Sequence, residues 1–151
     1  MKVFVSADME GITGIARAGM TESADRDYAR ARELMTGDVN AAIEGALAAG
    51  ATEVWVKDAH AGANNLIVEK VLAPAQVIAG WTAETRMVGG VDDTFDAILL
   101  IGYHARAGTP AGTISHTMSG SLLNVWYNGV AVGESGISAA DAGPFPGTKF
   151  K

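Results

Sequence analysis

The sequence contains no cysteine. Disulfides, thiol nucleophiles and thiolate-held metals are thereby excluded, so any metal must be held by His, Asp and Glu. Histidine is scarce as well, at 3 residues in 151. Basic charge is in deficit: 11 Lys and Arg stand against 17 Asp and Glu, a formal charge of -6. That balance lacks the basic footprint of a nucleic-acid binder. Long apolar runs are missing. The stretch Val3-Phe4-Val5 before Asp8 is shorter than the apolar core of a signal peptide. The run from Ala97 to Gly102 falls far below the ~20 residues that span a bilayer. A cytoplasmic protein with no nucleic-acid and no membrane partner is the expectation. What remains is ordinary for a globular chain, with 48% hydrophobic and 19% charged residues and a mean hydropathy of +0.17. The length suits a single domain with a real core. Glycine, at 19 residues, is abundant and points to tight turns and close backbone approaches.

The order of patterns is strand, helix, strand, helix. Lys2 to Ala7 is rich in β-formers and ends at Asp8-Met9-Glu10-Gly11. Asp25 to Gly50 reads as a long helix, with Tyr28, Ala31, Met35, Val39, Ala42 and Ala46 stepping by three or four along one face. Gly37 is a candidate kink and Gly50 a natural stop. Thr52 to Asp58 reads as a second strand, Asn65 to Leu72 as a short helix ended by Pro74, and Gln76 to Ala79 as a short third strand. Asp96 to Tyr103 is almost wholly apolar, as expected of a strand buried on both faces. Asn128-Gly129 between Leu122 to Tyr127 and Val130 to Val132 predicts a hairpin. Ser135 to Ala142 predicts a last helix. The fold class is therefore α/β, a mostly parallel sheet with helices on both faces and a β-hairpin near the C-terminus. Residues 1–143 form the domain and 144–151 an irregular tail.

In such sheets ligands bind beyond the carboxyl ends of the strands. Asp8 and Glu10 follow the first strand, Asp58 and His60 the second, His104 the apolar strand, and Glu134 the hairpin, while His116 lies in the loop 113–117. Each has an ordinary reading. Asp8 can cap a turn, a loop histidine can be a satisfied surface residue, Glu134 can complement a helix dipole, and Asp58 can form a turn or support a neighbour. Their convergence on one sheet edge favours a metal site. Carboxylates and imidazoles are the normal ligands for zinc or manganese where no thiolate is available. Asp8 and Glu10, two apart, share a side of an extended segment. That spacing lets one bridge two metals, and paired ions activate water for hydrolysis.

The same residues resemble a known family. Val5-Ser6-Ala7-Asp8-Met9-Glu10-Gly11-Ile12-Thr13-Gly14, Val56-Lys57-Asp58-Ala59-His60 with Asn64-Asn65-Leu66, Asp92-Asp93-Thr94-Phe95 leading into Gly102-Tyr103-His104-Ala105, Ser115-His116-Thr117-Met118, and Val132-Gly133-Glu134 are similar to the zinc-dependent D-aminopeptidases of the DppA type. The resemblance runs from about residue 1 to about residue 143. It implies a dinuclear zinc site of Asp8, Glu10, His60, His104 and Glu134, with Asp8 bridging and His116 as a non-ligand catalytic histidine. It implies release of N-terminal D-residues from short peptides and a homo-oligomer, a decameric ring in the family. Family members continue with further strands and helices that 144–151 do not resemble. The chain then reads as the N-terminal part of a larger fold, self-associating or completed by a partner chain.

Three rivals stand beside this reading. A phosphatase-like hydrolase would use Asp8 as nucleophile, but such enzymes carry Asp at both positions and few histidines. A dinucleotide site needs G-x-G-x-x-G, and Gly11-Ile12-Thr13-Gly14 lacks that spacing. A catalytically silent metal-binding or assembly module would keep every ligand and so is not separated by the ligand set.

Overall fold

The computed structural model describes residues 1–81 and 86–143. The irregular tail expected at 144–151 lies outside the described residues. Strands β1 (Lys2–Ala7), β2 (Glu53–Asp58), β3 (Gln76–Ile78) and β4 (Ala97–Ile101) form one sheet in the order β3-β2-β1-β4, every pairing parallel. Helix α1 (Tyr28–Ala48) connects β1 to β2. Strands β5 (Val125–Tyr127) and β6 (Val130–Val132) form the separate antiparallel hairpin, and helix α2 (Glu134–Asp141) follows it. Asn128 and Gly129 both take positive φ, 50° and 80°, as a tight two-residue hairpin turn requires.

Each face of the sheet carries its own apolar layer. On one, α1 lays Ala31, Met35, Val39, Ile43 and Ala46 over Val3, Val5, Val54 and Val56. On the other, Phe4, Val88 and Phe95 gather Trp55, Ile78, Ile98 and, from the end of α2, Ala142. Ile43 rather than Ala42 completes the buried stripe of α1. The helix starts at Tyr28, not Asp25, because Asp25 and Asp27 are engaged by Arg17 at 2.8 and 2.5 Å. It runs through Gly37 without interruption and closes in a Schellman motif, with Gly50 N–H on Leu47 O and Ala51 N–H on Ala46 O, both 3.0 Å.

Two local expectations are corrected. The helix expected over 65–72 is a single 3₁₀ turn, Val68–Lys70. Its first residues are committed elsewhere: the Asp58 carboxylate accepts the N–H groups of Asn65 and Leu66, and their carbonyls accept from Arg32. The apolar strand β4 is half-buried and lies at the sheet edge among the described residues, while β1 is the buried central strand. Composition reports that both faces of β4 meet apolar neighbours, but not whether its edges are paired.

The strand order also fixes where a ligand can enter. From β1 the chain crosses to β2 and β3 on one side and returns to β4 on the other. The order therefore reverses between β1 and β4, and the crevice beyond their carboxyl ends is the switch point where open α/β sheets bind ligands.

Candidate metal centre at the strand ends

Two glycines bring the exits of β1 and β4 together. Asp8 N–H donates to Ile101 O at 2.8 Å and Gly11 N–H to Gly102 O at 2.7 Å. A Cβ on Gly11 would meet the carbonyls of Gly102 and Tyr103. Gly102, at φ 70°, faces the Asp8 carbonyl just as closely. The chain bends at Met9 rather than continuing extended. Asp8 and Glu10 thus reach the same place through a turn, not through strand alternation.

All six residues singled out in the sequence meet there. His60 Nδ1 lies 3.3 Å from Asp8 Oδ1 and 3.1 Å from Glu10 Oε2. His104 Nε2 lies 3.5 Å from Asp8 Oδ2 and 3.3 Å from Glu134 Oε1. His116 Nε2 stands 3.7 Å from Glu134 Oε1 and 3.9 Å from Glu10 Oε1. The His116 ring stacks on His104 with centroids 3.9 Å apart and planes at 14°. Glu134 is the first residue of α2, one position earlier than the helix start expected from the sequence.

Each imidazole is tied by one nitrogen to a backbone carbonyl. His60 Nε2 meets Thr21 O at 3.0 Å, His104 Nδ1 meets Ala105 O at 3.0 Å, and His116 Nδ1 meets Ile114 O at 2.9 Å. Those carbonyls only accept, so these nitrogens carry protons and the other three face the carboxylates. This is how a metal-ligating histidine is held. Asp8 Oδ2, Glu10 Oε2 and His104 Nε2 are buried without a hydrogen-bond partner, a cost that buried polar groups rarely carry unresolved. The donor set and its orphaned atoms fit a divalent cation. Ligand atoms of Asp8, Glu10 and His104 lie within 4.8 Å of one another, as do those of His104, His116 and Glu134.

The electrostatics follow from crowding. Burial, with the charges of Glu10 and Glu134 added and His60 opposing, pushes Asp8 up to about 7. Burial also resists ionisation of Glu10, but the His60 imidazole 3.1 Å away prevails and holds it near about 2. Burial would lower His60 and His104; the carboxylates outweigh it and raise them to about 10 and about 9. Glu134 is held below the usual range by His104 and the Met118 N–H, against burial.

The sequence offers Asp58 as a turn former or a support for its neighbour; the remaining contributors carry no such signal. Asp58 proves to be a loop anchor: its carboxylate and the Asn65 amide hold the loop carrying His60, with Asn65 Nδ2 donating to His60 O at 2.6 Å. The Thr21 carbonyl and the Met118 N–H are backbone groups with no side-chain signal. A cavity of about 520 Å³ opens over the cluster, walled by Trp81, Arg86, Met87, Met118 and Glu22. The Trp81 indole is fixed by its N–H on Ala61 O at 2.8 Å.

A parallel α/β sheet that gathers three carboxylates and three tethered imidazoles at its switch point, beneath a cavity, has the layout of a metal-dependent enzyme. The chain belongs to the D-aminopeptidase family, whose model matches residues 1–146. It is 44% identical over 143 residues to the D-aminopeptidase of Bacillus subtilis (strain 168), covering 95% of this chain and 52% of that protein. Among solved structures, it is similar to one described as the Zn-dependent D-aminopeptidase DppA from Bacillus subtilis, a self-compartmentalizing protease. The TM-score is 0.91 at 44% identity, over 95% of this chain and 52% of that one. The chain thus spans about half the length of the relatives it matches. Among the described residues no helix is long and apolar enough to cross a membrane.

Proposed function

We propose that the chain carries the dinuclear zinc centre of a peptidase that removes N-terminal D-residues from short peptides. Asp8, Glu10, His60, His104 and Glu134 would hold the two ions, with Asp8 shared between them. The observation that carries this reading is the posture of Asp8: Oδ1 faces His60 while Oδ2 faces His104 and has no hydrogen-bond partner. One carboxylate turned towards two different imidazoles would let Asp8 serve as the shared ligand. Zinc, when bound, supplies Lewis-acid polarisation of a carbonyl and acidifies water.

The chain's own residues do the rest. His116 is the most open imidazole of the cluster, its side chain 26% exposed against 2% for His104. Its Nδ1 is fixed on Ile114 O and its ring on His104, so Nε2 is presented to the cavity, where it can take or give a proton to the scissile group. Glu22 on the cavity wall is an acidic partner for the substrate's α-ammonium. Cleavage of D-alanyl and L-alanyl amides, with and without chelator, tests the reading. Chelator-sensitive, D-selective turnover supports it, and a chain without bound metal contradicts it.

The self-compartmentalizing description of the solved relative extends to this chain as self-association through the hairpin and the segment leading into it, where Trp126, Val130 and Leu123 are exposed. A second reading, a metal-binding assembly module without turnover, is favoured by the outer edge of β4, which pairs with no strand among the described residues. Two bound zinc ions with no turnover would select it.

A further inference from the structure

Tyr103 donates nothing to the ligand set, yet it sits at the junction of the elements that carry it. The Met87 carbonyl can only accept, so the Ser6 hydroxyl donates to it at 2.5 Å. Each hydroxyl has a single proton. Ser6 Oγ must therefore accept from the Tyr103 hydroxyl at 2.8 Å, and Tyr103 Oη must accept from Ser138 at 3.1 Å. The relay has one possible direction, from α2 through the exit of β4 and the middle of β1 to the cavity wall at Met87. Ser6 and Ser138 are fully buried, so no solvent replaces a lost link.

The spacing gives the relay its purpose. Ser138 lies four residues after Glu134 and shares its helix face, and Tyr103 immediately precedes His104. Helix α2 is thus fastened to the β4 exit at two points one turn apart, Ser138 to Tyr103 and Glu134 to His104. The first link is between neutral groups and is satisfied without a cation; the second sets two donor atoms 3.3 Å apart. We infer that Tyr103, acting through Ser138 and Ser6, is the positioning residue that sets the Glu134–His104 spacing and so the hold on the ion those two share. The inference rests on the dinuclear reading above.

Zinc titration by calorimetry, with cobalt as a spectroscopic substitute, tests it on the full chain. Tyr103→Phe and Ser138→Ala are expected to bind one ion as the unaltered protein does and the other roughly 10- to 100-fold more weakly, with a changed visible cobalt band. Ile43→Val, which thins the α1 core away from the site, is the control for general destabilisation and should leave both affinities and the band unchanged. Unaltered affinities and band in both relay variants, or changes no larger than those of Ile43→Val, overturn the inference and leave the dinuclear reading standing. An unaltered protein that takes up no metal overturns both.

Discussion

At the carboxyl ends of β1 and β4, ionisable groups are hidden from water: Asp8 is 2% exposed and Glu134 4%. On the β5–β6 hairpin and the segment just before it, large apolar groups face it: Leu123, ahead of β5, is 76% exposed, Val130 65% and Trp126 57%. Both regions invert the usual distribution of polarity, and each inversion carries a free-energy cost. Buried carboxylates without partners are destabilising unless a cation or proton compensates. An exposed apolar patch marks a surface that another surface covers. The difference between them is the kind of partner required. The strand-end cluster asks for charge at a point, held by donors of fixed geometry. The hairpin asks for area and is indifferent to the detail of what supplies it.

That contrast is broken most sharply at Asp8. Asp8→Asn keeps the shape of the side chain and removes the charge shared between His60 and His104. Zinc content should fall and activity should drop by more than about 100-fold; retention of both metal and activity contradicts the bridging role. His116→Ala should leave zinc content intact and lower kcat by about 100- to 10,000-fold, read from steady-state kinetics beside elemental analysis. If activity stays within a few-fold, His116 is not the proton carrier. Asn65→Ala loosens the loop that carries His60 and should weaken zinc binding by about 10- to 100-fold.

The pH dependence of metal uptake has a definite sign. His60 and His104 keep their protons up to about 10 and about 9 in the metal-free protein, and zinc must displace them. Asp8, raised to about 7, gives up part of a third proton, so uptake near neutral pH should release between about two and three protons, and apparent affinity should rise with pH towards that range. Calorimetry in buffers of different ionisation enthalpy measures the release; a flat profile contradicts it. The same raised values mean that protonated His60 beside Glu10 and protonated His104 beside Glu134 stabilise the metal-free fold fully below about 6.5. That support is lost as pH rises through about 9 and then about 10. The smallest effect on the site belongs to the other region. Leu123→Asp with Trp126→Ser should leave zinc stoichiometry unchanged while lowering the assembly mass seen by light scattering. A mass unaffected by the pair would remove the hairpin from the interface.

The two regions were unequally legible in the sequence. The positions of Asp8, Glu10, His60, His104 and Glu134 at strand exits followed from pattern alone, because alternation and turn signals locate strand ends and polar residues stand out there; His116 stood out as a histidine in a loop. Asn128-Gly129 announced its hairpin for an equally local reason. What stayed hidden depends on pairing across the chain. The edge position of β4 is a fact about neighbours, not about Ala97–Ile101. The failed helix after Asn65 depends on Asp58 taking its N–H groups. The relay through Tyr103 joins residues 97 and 35 positions apart. Ser6, a lone hydroxyl in an apolar strand, was its only local trace.

The central claim is that the strand-end cluster is a two-zinc site bridged by Asp8. The most direct test is the number of zinc ions per chain, by elemental analysis of the purified protein beside Asp8→Asn. Two ions in the protein and at most one in the variant are expected. A single ion in the protein, or two in both, would contradict the bridge.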